Sequence, residues 1–151
     1  NSQAERLIGA VSGVAGARFA IEFSRQYGEQ RVVFGKPLIK RELWQHKFVN
    51  MYTKVEMAQA FVDKCVDAYN TDKYEKQGNV SMETVKLISM AKIVAGELVA
   101  EVMDTCLQFH GGWGYVEEYP IARAWRDARL LKIGGGTTET MTYYLAKLMG
   151  L

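Results

Sequence analysis

Proline is nearly absent, with 2 residues in 151, which excludes collagen-like and proline-rich disordered classes. Cysteine is equally scarce. Cys65 and Cys106 stand far apart with no CxxC spacing, so they read as core fillers and point to a reducing compartment rather than a disulfide framework. The only histidines are His46 and His110, and neither has a ligand partner at metal-binding spacing. Glu42 lies four rather than three residues before His46, and no second copy exists; the paired Glu-x-x-His of a di-iron bundle is missing, and no metal is expected. No apolar run approaches the ~20 residues of a membrane span. The net charge is only +2, with acids and bases interspersed, which argues against nucleic acid as the main partner. The chain opens Asn1-Ser2-Gln3-Ala4 without an initiator Met, an apolar leader or a targeting signal, and so reads as one domain of a longer protein.

What is present is helical periodicity. With 48% hydrophobic and 24% charged residues, the chain has the balance of one globular domain that buries roughly 70% of its unfolded surface. Trp44, Phe48, Met51, Val55, Ala58, Val62, Cys65 and Tyr69 recur at alternating spacings of 4 and 3, which keeps one apolar stripe on one helix face. Leu87, Ala91, Val94, Leu98, Val102, Cys106 and Phe109 form a second stripe, with Ser81 as cap and Gly111-Gly112 as stop. A first helix carries Gly9, Gly13 and Gly16, each costing about 1 kcal/mol of propensity. Small residues at that spacing admit a neighbouring backbone, so this helix is expected at the centre. Pro120 opens a short helix, and Thr137 or Thr138 caps a last one. Helices are expected near 3–29, 40–70, 82–109, 120–132 and 137–150. Val32-Val33-Phe34 is too short to pair alone, so no strand is expected, and 71–80 reads as a polar surface turn. The fold class is all-α: an up-and-down, four-helix-type bundle of three long helices and two short C-terminal ones.

Three elements carry possible chemistry. Gln108-Phe109-His110-Gly111-Gly112-Trp113-Gly114-Tyr115 and Ile133-Gly134-Gly135-Gly136-Thr137-Thr138-Glu139 are glycine loops whose bare N–H groups, the second at a helix start, suit a phosphate or a flat ring. Each alone serves equally as a turn between helices. Neither follows a strand, so neither is a Rossmann or Walker loop. In Gln30-Arg31-Val32-Val33-Phe34-Gly35-Lys36-Pro37-Leu38, Arg31 offers a fork to a pyrophosphate beside an aromatic, or is simply a solvated turn residue. Asp127 and Arg126 read as helix-end ion-pair residues, Trp44, Trp125 and Phe61 as core or interface, and both histidines as hydrogen-bonded packing residues.

The ordered set is more specific than its parts. Arg-x-x-Phe-Gly-x-x-Leu, then Gln-x-x-Gly-Gly-x-Gly-Tyr, then Gly-Thr-x-Glu before a terminal helix, with Glu5-Arg6-Leu7 ahead and Arg126-Asp127-Ala128-Arg129 between, resembles the C-terminal helical domain of the FAD-dependent acyl-CoA dehydrogenases. The resemblance spans essentially the whole chain, residues 1–151, and implies that a helical and a β domain precede it in the full protein. It implies FAD held across a dimer interface. Arg31 and Phe34 would meet the FAD of a partner subunit, Gln108 and the Gly111-Gly112 turn would approach the same dinucleotide, and Thr137 and Glu139 would stand by the FAD of their own subunit.

The implied reaction removes hydrogens from the α and β carbons of an acyl-CoA thioester. The α proton is weakly acidic, so its base must be desolvated. Most of the family places that Glu directly before Gly-Thr in the last loop, where this chain has Gly135. A minority, including isovaleryl- and long-chain-acyl-CoA dehydrogenases, keeps the base on the first helix beside an Arg; the matching residues here are Glu5 and Arg6. Glu5 alone is also what a helix dipole favours in a first turn. Together with the glycine at 135 it is the expected base, with Arg6 near CoA or the base and Gly136 as a substrate contact. Implied partners are acyl-CoA, an electron-transferring flavoprotein and further copies in a dimer or tetramer, in a bacterial cytoplasm or a mitochondrial matrix. Competing readings are an acyl-CoA oxidase, a flavoprotein relative that lost its base, and a non-catalytic helical oligomerisation module. The isolated domain is expected to be inactive.

Overall fold

The computed structural model describes residues 2–151. It is all-α apart from one small hairpin. Helix α1 spans Ser2–Gln30, α2 Glu42–Asn70 and α3 Met82–His110. Shorter α4 (Gly112–Tyr115), α5 (Pro120–Arg129) and α6 (Thr138–Met149) follow. The end of the helix expected over 120–132 is a tighter 3₁₀ turn, Leu130–Lys132, and a second such turn, Leu38–Lys40, leads into α2. The expected caps form: the hydroxyl of Ser81 accepts from the Thr84 N–H at 3.2 Å, and that of Thr137 from the Thr140 N–H at 3.2 Å.

The absence of strands is corrected at one place. Strand β1 (Val32–Val33) pairs antiparallel with β2 (Lys36–Pro37), Val32 opposite Pro37 and Val33 opposite Lys36. Two residues on each side do not hold a hairpin by themselves. Arg41 supplies the rest, its guanidinium donating to the Val33 carbonyl and, at 3.1 Å, to that of Phe34. The turn puts Phe34 at φ 51 and Gly35 at φ 73.

The segment 71–80 is not merely a polar surface turn. Thr71–Glu75 forms a π-helical turn that buries Asp72. Its carboxylate accepts from the Ser81 N–H at 2.8 Å and pairs with Lys76 at 3.4 Å, tying the end of α2 to the start of α3. The Ser81 backbone N–H above all holds the Asp72 carboxyl well below the usual carboxylate range.

Helix α3, rather than α1, is the centre: α1, α2, α5 and α6 all pack on it. Val85, Ile88, Ala91, Ala95, Leu98, Val99, Val102 and Cys106 are buried around much of its circumference, while Val94, placed on its stripe by spacing, is exposed. The stripe of α2 is as expected, with Phe48, Met51, Val55, Ala58, Val62 and Cys65 buried. The glycines of α1 admit mainly a side chain. A Cβ at Gly9 stands 3.1 Å from the Leu131 side chain, and one at Gly13 meets the other Leu131 methyl and Ala95. By length and composition α1 matches a membrane span after all, with an 18-residue window of mean hydropathy 1.3. Its apolar face lies in the bundle core, where Leu7, Ala10, Val14, Ala17 and Ile21 are buried. Burial pushes the Cys106 thiol up to about 11 and raises that of Cys65, as suits unreactive core fillers.

Candidate functional site

The residues singled out in the sequence fall into two groups, one at each end of α1. Between Glu5 and Gln30 the helix rises about 38 Å at 1.5 Å per residue. A ligand approached by Arg31 at one end is therefore not the one approached by Glu5 of the same chain.

At the far end, Tyr27, Arg31, Val33, His110, Gly111 and Trp113 line a cavity of about 460 Å³. The tightening of chain direction at Gly111, φ 59, ends α3 and leaves the backbone bare: no atom lies within 4 Å of a Cβ built at Gly111 or Gly112. Gln108 is exposed one turn back on α3. Phe34 is 94% exposed at the hairpin tip and does not line this cavity. His110 is the hydrogen-bonded packing residue that the sequence suggests, and it forms part of the wall. It stacks on Tyr27 at 4.3 Å between centroids and on Phe23 at 5.7 Å, and its Nδ1 lies 2.7 Å from the Cys106 carbonyl. Nδ1 thus carries the proton, and burial lowers the ring's pKa and keeps it neutral. His46, by contrast, is no packing residue: it is an exposed side chain beside Glu42 at 3.8 Å.

At the near end, Glu5, Arg6, Gly9, Lys92, Asp127 and the Gly134-Gly135 turn line a cavity of about 360 Å³. Arg6 Nε donates to the Gly135 carbonyl at 3.0 Å, and the Lys92 ammonium donates to the next carbonyl, that of Gly136. Both glycines have left-handed backbones, at φ 69 and φ 108, a region that disfavours any side chain. A Cβ built at Gly135 lies 3.9 Å from Arg6 Cγ, so a side chain at 135 would emerge next to the residue that follows Glu5. Thr137 caps α6. Glu139 stands in its first turn, where its own backbone N–H and the Thr137 hydroxyl hold the carboxyl below its ordinary value. Asp127 and Arg126 form no ion pair among the described residues; Asp127 instead borders the Glu5 cavity. Trp125 is partly exposed and donates to Asp104 at 3.2 Å, while Trp44 packs edge-on against Phe109 at 4.9 Å.

Glu5 itself is exposed in this chain. The desolvation that its expected role needs is not supplied by the residues around it here.

Comparison with known proteins agrees with this architecture. The family model for the acyl-CoA dehydrogenase C-terminal domain matches residues 2–150. A long-chain specific acyl-CoA dehydrogenase, mitochondrial, from Sus scrofa is 41% identical over 143 residues, 95% of this chain and 31% of its own. Among solved structures, an acyl-CoA dehydrogenase from Geobacillus kaustophilus superposes with a TM-score of 0.87 at 31% identity, over 99% of this chain and 37% of that one. Butyryl-CoA dehydrogenase from Megasphaera elsdenii gives 0.86 at 29% identity, over 99% and 37%. The chain thus spans about a third of the length of the relatives it matches. The shared helical bundle, running from the first helix to the last, makes this chain a member of the acyl-CoA dehydrogenase family, matching its C-terminal domain.

Proposed function

We propose that the full-length protein is an FAD-dependent acyl-CoA dehydrogenase that uses Glu5 as the base for α,β-dehydrogenation of an acyl thioester. One observation carries the reading: Glu5 and the side-chain-less Gly135 border the same cavity, and a side chain at 135 would rise beside Arg6. A carboxylate moved from position 135 to position 5 still faces the same space. The work of Glu5 is to take the α proton. Arg6 fixes the turn through the Gly135 carbonyl and adds positive charge where a thioester enolate or a CoA phosphate gathers negative charge. The N–H of the left-handed Gly136 has no protein acceptor among the described residues and serves as the substrate contact. Water exclusion around the exposed Glu5 falls to bound substrate, the flavin ring and the rest of the protein.

The residues present fit the cofactor. Arg31 offers a fork, and Gly111 and Gly112 offer backbone that no Cβ covers, which suits the pyrophosphate and adenine side of a dinucleotide. Gln108 and Phe34 are exposed on that same side. Thr137 and Glu139 stand at the other end of the bundle, by the Glu5 cavity. Because α1 separates the two ends, each FAD takes Arg31, Phe34, Gln108 and the Gly111-Gly112 turn from one subunit and Glu5, Thr137 and Glu139 from another. Two copies are the minimum, and a tetramer is a pair of such dimers. When bound, the flavin supplies the acceptor for the β hydride.

Acyl-CoA as substrate, an electron-transferring flavoprotein as electron acceptor, and a cytoplasmic or mitochondrial setting belong to the same reading. The test is anaerobic titration of the purified full-length protein with palmitoyl-CoA or isovaleryl-CoA. The flavin absorbance should bleach, and colour should return with electron-transferring flavoprotein much faster than with oxygen. Fast return with oxygen makes the protein an oxidase. No bleaching at all leaves a flavoprotein without the dehydrogenation step or a non-catalytic oligomerisation module.

A further inference from the structure

Lys92 sits where a lysine is costly. It lies in the buried row of α3 between Ile88 and Ala95–Val99, and is 2% exposed. No carboxylate pairs with it among the described residues. An unpaired buried ammonium is expensive, and an apolar side chain of that length would pack there at lower cost. Its one polar contact is the Gly136 carbonyl. The neighbouring carbonyl, Gly135, is taken by Arg6. Two cations from two different helices therefore hold two successive peptide planes of one turn.

The consequence is geometric. Carbonyl and N–H point opposite ways across a trans peptide. The Gly135 carbonyl shares its plane with the Gly136 N–H, and the Gly136 carbonyl shares its plane with the Thr137 N–H. Drawing both carbonyls inward turns both N–H groups away from Lys92 and Arg6. Neither N–H donates to a protein group among the backbone and side-chain bonds of the described residues. Glycines at φ 69 and φ 108 have many alternative conformations, so without the clamps this turn has little to fix it.

We propose that Lys92 is a positioning residue for the dehydrogenation proposed above: its buried ammonium, together with Arg6, locks the Gly135–Gly136 turn in the orientation that seats the acyl thioester against Glu5. This role rests on the acyl-CoA dehydrogenase reading. Lys92 acts through the turn, by way of the Gly136 carbonyl that its ammonium holds. Burial, and then the nearby Arg6 charge, lowers the Lys92 pKa, as follows where no carboxylate pairs with the ammonium.

The experiment uses the full-length FAD-loaded enzyme and its Lys92→Met, Lys92→Gln and Lys92→Arg variants. Flavin reduction by saturating palmitoyl-CoA or isovaleryl-CoA is followed in anaerobic stopped flow, per mole of bound FAD, with FAD content and Tm measured alongside. A misplaced reacting group costs on the order of 10²-fold. Lys92→Met is expected to reduce its flavin about 10- to 100-fold more slowly while keeping FAD, and Lys92→Gln, which retains a donor, to fall between it and wild type. Lys92→Arg, a cation of similar reach, should recover part of the loss. A purely structural lysine gives the opposite pattern: lower Tm and FAD content, with an unchanged reduction rate per bound flavin, and that result overturns the proposal. If neither neutral variant accumulates as folded protein, Lys92 belongs to folding and the positioning role is also overturned. If wild type itself is not reduced by either thioester, the dehydrogenase reading falls first and takes this role with it; reduction of wild type with variants at the same rate overturns Lys92 alone.

Discussion

At the scale of single residues, burial decides what each polar group is for. His110 is 2% exposed, stacked between aromatic rings and held neutral. Its folded pKa lies below the ordinary 6.5. Between those two values the unfolded chain binds a proton that the folded chain refuses, so stability is lost as pH falls through the unfolded value. The Tm of the chain should therefore drop between about pH 7.5 and about pH 5.5, and His110→Phe, which keeps the stacking, should flatten that drop. An unchanged slope in the variant contradicts the assignment. The glycine loop locates His110 as a packing residue, but nothing in the sequence shows its neutral state. Lys92 was invisible for a related reason: a lysine in a helix reads as solvated surface, and only the distant Gly136 carbonyl explains its burial. Asp72 was missed likewise, since a polar stretch between helices reads as a surface turn until the Ser81 N–H is found on its carboxylate.

Elements were more legible than single residues. The 4–3 spacing in α2 identified its buried face because that helix exposes its other side. The same spacing misleads in α3, whose burial extends too far around for one stripe to describe, and puts Val94 on the wrong side. The β1–β2 hairpin escaped because it is completed from outside the paired residues, by Arg41 and by the Leu38 N–H on the Arg31 carbonyl. Glycine in α1 has position-specific meaning that sequence does not show. A Cβ at Gly28 would stand 2.4 Å from the Phe109 ring, which is itself fixed by Trp44 and Phe48. Gly28→Ala gains about 1 kcal/mol of helix propensity but loses about 1–3 kcal/mol to overpacking; with a ring that cannot move, the net effect should be a lower Tm. At Gly16 the nearest atoms lie 3.9 Å from a Cβ, ordinary contact, so Gly16→Ala should stabilise the chain by up to about 1 kcal/mol, or about 2–4 °C in Tm. Thermal melts of the two variants against wild type should move in opposite directions.

On the scale of the whole molecule, the length of α1 imposes the division of labour. Glu5 and Arg31, at opposite ends of α1, are separated by about 38 Å of helix, so the proposed site closes only when a second copy brings its Arg31 to the FAD beside the first copy's Glu5. This predicts complementation. Full-length subunits carrying Glu5→Gln and subunits carrying Arg31→Ala should each form defective homodimers. Co-expressed, they form mixed dimers in which one of the two sites has both wild-type residues and the other has neither. Activity recovered in purified mixed dimers, well above either parent, supports the shared site; activity no higher than the average of the parents contradicts it.

The central claim is the relocated base, and the most direct measurement is flavin reduction by the full-length Glu5→Gln enzyme. The change removes one charge and little volume, so FAD content and acyl-CoA binding should remain. Loss of a general base costs about 10²–10⁴-fold, and the reduction rate with saturating palmitoyl-CoA or isovaleryl-CoA should fall by at least that much. Gly135→Glu in the same background offers limited rescue, because φ 69 at that position strains any side chain. If Glu5→Gln bleaches its flavin at the wild-type rate, Glu5 does not take the α proton, and the cavity shared with Gly135 has another use.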